Sequence, residues 1–241
     1  MATHRDITGL RVAVTGGTSG LGLALTRAFR RQGAKVAFVA RTAAAVERVA
    51  QATGAAGIVG DLGVKDDIYP IALQITARLG GLDVLINNAS SLGPVPLRPL
   101  ADTDCEDLEL ALAVNLLGPF RLTKALLGAL AASARDGRGA VVLNVSSDAA
   151  VNAYVNWGAY GASKAALKHL SAIWNEELAG QGIQFLSLDP GDMDTPLHAL
   201  AAPDADPSLL KRPNLSAEEL MDAIVGALPS VTMAGAAGAR S

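Results

Sequence analysis

Three short runs, VAVT at 12–15, VAFVA at 36–40 and VVLNV at 141–145, are apolar at almost every position. A strand with one wet face alternates apolar and polar side chains, whereas an unbroken apolar run is expected where both faces of a sheet are covered. Helix-like stretches of ten or more residues lie between such runs, the pattern of βαβ units and a parallel sheet. The spacing predicts strands at Arg11–Thr15, Lys35–Ala40, Ala56–Gly60, Leu82–Ile86, Ala140–Val145 and Ile183–Leu188. It predicts helices at Leu21–Gln32, Thr42–Ala52, Lys65–Leu79, Asp102–Ala132 and Trp157–Ala179, the fourth interrupted near Gly118-Pro119 because proline breaks the hydrogen-bond ladder. The expected fold class is α/β, a Rossmann-type doubly wound parallel sheet of six or seven strands with helices on both faces, with 1–241 as a single domain. A composition of 50% apolar but only 4% aromatic residues suits such a core, built from Ala, Val, Leu and Ile.

Strand one runs into Thr15-Gly16-Gly17-Thr18-Ser19-Gly20-Leu21-Gly22. Glycines there let the backbone turn sharply and approach a phosphate, and the helix that follows aims its amide-rich N-terminus at it. Isolated glycines would describe a plain strand-to-helix turn. Their place between an apolar strand and an amphipathic helix favours nucleotide binding.

Tyr160 and Lys164 stand at i and i+4 near the start of a predicted helix and so share one face. A free phenol, with a pKa of about 10, is a poor base at neutral pH, and a neighbouring ammonium favours its ionised form. Alone, the pair describes an ordinary helix surface. Strand five, however, ends in Asn144-Val145-Ser146-Ser147 at the carboxyl edge of the sheet, where open α/β sheets bind ligands. A Ser147 hydroxyl there could donate to a carbonyl oxygen as charge develops on it.

Together these residues resemble the short-chain dehydrogenase/reductase family, in its branch of single-domain enzymes of roughly 250 residues. The resemblance runs from Leu10 to Thr195 through TGGTSGLG at 15–22, Asp61, NNA at 87–89, Asn115, the serine pair ending at Ser147, YGASK at 160–164 and PGDMDT at 190–195. It implies that Tyr160 is the general acid or base, that Lys164 lowers its pKa and holds the nicotinamide ribose, and that Ser147 polarises the substrate oxygen. It implies further that Asn115 sits at a helix irregularity and holds a water linking Lys164 to solvent. The implied cofactor contacts are Thr15, Gly16, Thr18, Ser19, Gly20, Leu21, Gly22, Arg41, Thr42, Asp61, Leu62, Asn88, Ala89, Ser90, Tyr160, Lys164, Pro190, Gly191, Met193 and Thr195. Asp61 would face the adenine, Asn88 would brace the sheet, and Thr195 would lie near the carboxamide. Two departures stand out. Ser90 follows NNA where the family usually has glycine, and no apolar strand closes the C-terminus. The second puts a tetramer in doubt and leaves a homodimer through the two long helices as the expected assembly.

An acid at the end of strand two would select NAD(H), and an arginine there accommodates a 2′-phosphate. The strand ends Ala40-Arg41-Thr42, so NADP(H) is favoured over NAD(H). Ser19, where some NADP-binding relatives carry a second basic residue, makes that preference modest. Candidate substrate contacts are Asp148, Asn152, Tyr154, Trp157, Asp192, Met193 and Leu197, for a small carbonyl compound or alcohol. The proline-rich stretch at about 192–215 is expected to be an irregular substrate lid. His169 and His198 are assigned to surface or packing, with His198 also in reach of the pocket from that lid. Within the family, the alternatives to a carbonyl reductase are a 3-oxoacyl-carrier-protein reductase and a non-catalytic dinucleotide sensor. The former needs a basic docking patch, and no clear one is visible. The latter would be expected to lack Tyr160 or Lys164.

A net charge of −3 without a basic run argues against nucleic acid, and the acids at 102–109 suit a helix N-terminus without a metal. A lone cysteine, Cys105, excludes an intrachain disulfide and fits a reducing, cytoplasmic compartment. No signal-peptide core is seen, and no stretch reads as a membrane span. The small Gly/Ala-rich stretch from about Pro229 is expected to be poorly ordered.

Overall fold

A computed structural model describes residues 6–229, and the expected disordered tail at 229–241 lies outside them except for its first residue. Six parallel strands form the sheet: β1 (Arg11–Thr15), β2 (Lys35–Ala40), β3 (Ala56–Val59), β4 (Val84–Asn87), β5 (Ala140–Val145) and β6 (Ile183–Leu188). Their spatial order is β3-β2-β1-β4-β5-β6. The chain leaves β1 toward β2 on one side and returns to β4 on the other, which opens a crevice at the carboxyl ends of β1 and β4.

The apolar runs are explained by the two cores they feed. Val12 and Val14 enter one core together with Phe38, Ile86 and Leu143. Ala13 enters the other with Val39, Leu85 and Val142. Successive strand residues point to opposite faces, so a strand covered on both sides has no polar position to spare. Helices α1 (Gly20–Arg31), α2 (Ala43–Thr53) and α8 (Pro213–Ala227) supply the first cover through residues such as Leu25, Phe29, Val46 and Ile224. Helices α3 (Ile68–Leu79), α5 (Gly118–Arg135) and α6 (Gly158–Leu178) supply the second through Ile71, Ile75, Leu122, Leu126 and Trp174.

Three expectations change. The interruption in the long fourth helix is not at Gly118-Pro119 but a π-helical turn at Ala113–Leu117, between α4 (Cys105–Leu112) and α5. Pro119 sits in the first turn of α5, where a missing N–H costs little. Asp102 belongs to a separate 3₁₀ turn at Leu100–Asp102, and α4 starts after Asp104. The 192–215 stretch is not wholly irregular: α7 (Pro196–Ala201) and a 3₁₀ turn at Pro207–Leu209 occupy it, a bridge joins Met193 to Lys211, and α8 already begins at Pro213. The stretch Cys105–Arg135 is long and apolar enough to cross a membrane by length and composition alone. Leu122, Leu126 and Leu130 of that stretch are buried in the second core, which accounts for its apolar face.

Candidate active site

The glycine turn is shaped by what surrounds it. Gly16 has a φ of +72°, and a Cβ on Gly22 would lie 2.2 Å from the Gly16 carbonyl oxygen. Only glycine fits either position. Ser19, at the N-cap of α1, makes no side-chain capping bond, and the first turn of α1 carries no acid. Its amides are therefore open to an anion at the mouth of the crevice.

Thr15 was expected among the cofactor contacts, but it is fully buried beneath the turn and does not line the cleft. Its Oγ1 accepts from the amides of Asn88 (2.9 Å) and Ala89 (3.0 Å), while Asn88 Nδ2 donates to the Thr15 carbonyl at 2.8 Å. These bonds staple the end of β4 to the glycine turn across the switch point. Asn87, one residue earlier, donates to Thr123 and Asn144 inside the sheet.

One continuous cleft of about 510 Å³ runs along this edge. Every other expected cofactor residue lines it, from Gly16 and Thr18 at the turn to Met193 and Thr195 opposite. At its outer end the Arg41 side chain is 73% exposed and lies 3.9 Å from the Asp61 carboxylate. So long and exposed an ion pair holds Arg41 weakly and leaves it free to turn to another anion. Asp61 itself accepts from the Gly63 amide at 2.8 Å.

At the inner end, Tyr160 and Lys164 are buried, and the Lys164 ammonium sits 5.5 Å from the centre of the Tyr160 ring. Lys164 Nζ donates to the Val145 carbonyl at 2.8 Å, tying α6 to the end of β5. The electrostatics differ from the sequence argument. Burial pushes the Tyr160 phenol up to about 12, with the Asp189 and Asp148 carboxylates adding to it; hydrogen bonding from Ser147 and Ser90 opposes the rise without cancelling it. The net shift of the phenol is upward, the reverse of what the spacing alone leads one to expect. Burial pushes Lys164 itself down to about 8, against a small opposing pull from Asp189.

Asn115 lies in the π turn, as the resemblance implied, but it does not line the cleft. Its side chain is wholly engaged: Nδ2 donates to the Ser91 carbonyl (2.7 Å) and to Ser163 Oγ (2.8 Å), and Oδ1 accepts from the Ser91 amide (2.7 Å) and Ser90 Oγ (3.1 Å). Asn115 thus braces the segment after β4 against α6, directly behind Tyr160. The serine at position 90 supplies one of those bonds.

Of the expected substrate contacts, Asp148, Trp157, Asp192, Met193 and Leu197 line the cleft. Tyr154 and Asn152 do not; both are exposed beyond its rim, and the Tyr154 hydroxyl donates to Asp148 at 2.6 Å. The sequence reading missed the apolar wall of Leu92, Val95, Leu110, Val114, Leu200 and Ala201. The i, i+3, i+4 spacing of Leu197, Leu200 and Ala201 was a usable signal. The loop residues Leu92 and Val95 offered none. His198 reaches the cleft wall from the 192–215 stretch, with its Nε2 4.0 Å from Asp192.

The short chain dehydrogenase family model matches residues 11–206. A 3-dehydrosphinganine reductase from Arabidopsis thaliana is 34% identical over 85% of this chain and 59% of its own length. An L-fucose dehydrogenase from Mus musculus is 32% identical over 86% of this chain and 74% of its own length. Against the first two curated relatives, the chain spans about six-tenths of their length (63% and 59%). Among solved structures, a 3-ketoacyl-(acyl-carrier-protein) reductase from Brucella melitensis complexed with NADH superposes with a TM-score of 0.83, at 26% identity, over 89% of this chain and 90% of that one. A short chain dehydrogenase from Shigella flexneri complexed with NADP gives a TM-score of 0.78, at 26% identity, over 88% of this chain and 91% of that one. The glycine turn, the Tyr160–Lys164 pair and the parallel sheet that sets them at one edge thus have a common origin: the chain belongs to the short chain dehydrogenase family.

Proposed function

We propose that this protein is an NADP(H)-preferring oxidoreductase that transfers a hydride between the nicotinamide and a small carbonyl compound or secondary alcohol, with Tyr160 as its general acid or base. The observation that carries this reading is the cleft itself, which joins the glycine turn and Arg41 at one end to Ser147, Tyr160 and Lys164 at the other.

The residues fit a dinucleotide. The uncapped amides of α1 suit a pyrophosphate, and Gly22 lets that first turn pack closely against the Gly16 carbonyl of the glycine turn. Asp61 and Leu62 suit an adenosine, and Arg41 suits a 2′-phosphate. Such a cofactor, when bound, supplies the hydride. The rest falls to this chain. Ser147 donates to the substrate oxygen, Tyr160 gives that oxygen its proton, and Lys164 brings positive charge beside the developing negative one. A phenol held up at about 12 is protonated at neutral pH, the form needed to act as an acid when a carbonyl is reduced.

Solved relatives complexed with NADP and with NADH support a nicotinamide dinucleotide, and Arg41 inclines the choice to NADP(H). The Brucella melitensis neighbour favours one second reading, a 3-ketoacyl-(acyl-carrier-protein) reductase. Against it, the inner cleft carries Asp148, Asp189 and Asp192 rather than a basic patch. The deciding experiment follows NADPH absorbance with a panel of ketones and one 3-ketoacyl thioester. Parent turnover is expected on ketones, with Tyr160→Phe slower by roughly 10³-fold and its NADPH affinity within about twofold. Cofactor binding without turnover across the panel would defeat the oxidoreductase reading.

A further inference from the structure

One carboxylate beside Ser147 has no task in the reading above. Asp148 Oδ1 accepts from the Ser147 hydroxyl at 3.2 Å, and Oδ2 accepts from the Tyr154 hydroxyl at 2.6 Å. Asp148 forms no ion pair among the described residues. Nor does the local turn need its side chain. The 3₁₀ turn at Asp148–Ala150 is capped by Ser147 Oγ, which accepts from the Ala149 amide, and the amides of Val151 and Asn152 bond to the backbone carbonyl of Asp148.

What the carboxylate reaches is an aromatic train leading back to the reacting phenol. The Tyr154 ring meets Trp157 edge-on at 6.5 Å, and Trp157 meets Tyr160 edge-on at 5.7 Å. Between Tyr154 and Trp157 the backbone turns through Asn156 at a φ of +73°, a left-handed conformation that asparagine tolerates better than other side chains. Trp157 is the aromatic wall of the cleft, and Tyr154, outside the cleft, backs it. A Tyr154 this exposed would move freely without its hydroxyl anchor, and the Trp157 ring behind it would lose its outer stop.

We propose that Asp148 is a positioning residue that holds two groups with its two oxygens: the Ser147 hydroxyl that polarises the substrate oxygen, and the Tyr154 ring that fixes the Trp157 wall. The proposal rests on the oxidoreductase reading for its kinetic part and on geometry alone for its structural part. Ser147 has one hydroxyl proton, for which the Tyr160 phenol is a second partner, and Asp148 orients it until a substrate oxygen competes for it. Bulky substrates feel the second arm, through Trp157.

Asp148→Asn and Tyr154→Phe test both arms, with melting temperature as the control for folding. Asp148→Asn should lower kcat on a small ketone about fivefold to tenfold, while Tyr154→Phe should raise KM for a bulky aryl ketone about threefold and leave kcat nearly unchanged. In alcohol oxidation the alkaline limb set by Tyr160 should move to lower pH in Asp148→Asn. That variant removes one of the two carboxylates, Asp148 and Asp189, that disfavour the phenolate, and it leaves Lys164 on α6 in place. That shift reports the Asp148 charge beside Tyr160, while kcat and the quenching below report its positioning role. A separate readout needs no turnover. With Trp174→Phe as background, Trp157 is the only tryptophan, and its quenching by acrylamide should rise at least about twofold in both variants as the clamp opens. A kcat within twofold of the parent in Asp148→Asn, or unchanged quenching, overturns the proposal. Should the parent turn over no ketone, the oxidoreductase reading falls, and quenching alone then decides: a rise supports the clamp and no change overturns it.

Discussion

At one edge of the sheet Asp83 is fully buried just before β4, and at the other Lys164 is buried just as deeply beside the end of β5. The two charges have been treated in opposite ways. Asp83 receives the Arg11 guanidinium at 2.6 Å, the Arg138 guanidinium at 2.9 Å, the Ser133 hydroxyl at 2.5 Å and the Arg11 amide at 2.8 Å. Burial alone would raise its pKa, and it is the largest single influence. The bonds from Arg138, Arg11 and Ser133 together outweigh it and hold the carboxyl well below the usual range. Those partners start β1, precede β5 and end α5, so the cluster ties the N-terminal edge together. Lys164 has the Val145 carbonyl and no ion pair among the described residues. A buried charge with all its bonds made serves the fold. A buried charge left short of partners weakens the fold, and it persists where chemistry uses it.

That contrast can be broken at either end. Lys164→Met should cost roughly 10³-fold in turnover. The same change should stabilise the fold by about 1–2 kcal/mol at neutral pH, read by urea unfolding, since a charge disfavoured by burial is removed at the loss of one hydrogen bond. A less stable Lys164→Met protein would sink the comparison. Asp83→Asn should do the reverse and lose about 3 kcal/mol of stability, a figure set toward the low end because Arg138 is 44% exposed. Its kcat at a permissive temperature should stay within about twofold of the parent. The Asp83 contribution is present above its ordinary value of 3.8 and is lost as pH falls below it, because the folded carboxyl keeps its charge longer than the unfolded one.

The pH dependence sharpens the same point at alkaline values. Lys164 is pushed down from 10.5 to about 8, so between those values the unfolded chain holds more protons and stability rises with pH. Tyr160 is pushed up from 10.0 to about 12, so above pH 10 the folded chain holds more protons and stability falls again. Unfolding curves of the parent should trace that rise and fall, and Lys164→Met should lack the rise. The smallest effect expected is at the outer end of the cleft. Arg41→Asp should raise the NADPH KM about tenfold relative to the NADH KM, since the exposed guanidinium works against solvent. Equal changes for the two cofactors would remove Arg41 from the 2′-phosphate argument.

The parts of this molecule that were legible in advance are those whose physics is local. A short run apolar at almost every position suits a strand covered on both sides, and three such runs, with helix-like stretches alternating between strands, placed all six strands with errors of a residue or two. The glycine turn and the Tyr160–Lys164 spacing are likewise contiguous in the chain, and the structure sets them on one cleft. Misplaced boundaries arose where one side chain had two outcomes, as at Pro119, which opens α5 instead of breaking a helix.

What only the tertiary structure decided depends on segments far apart in sequence. The apolar wall draws on the loop after β4, on α4 and on α7. Thr15 and Asn115 turned out to be braces rather than cleft contacts, because their hydrogen-bonding groups are taken up by residues more than 20 positions away. The same holds for the charges. The Asp83 clasp joins residues 11, 83, 133 and 138, and the direction of the Tyr160 shift is set by its burial and by Asp148 and Asp189 rather than by the lysine one helical turn along. Residue type and spacing dictate which groups a helix or strand presents. Solvent exclusion and the partners that meet a buried charge exist only once the chain has closed around it.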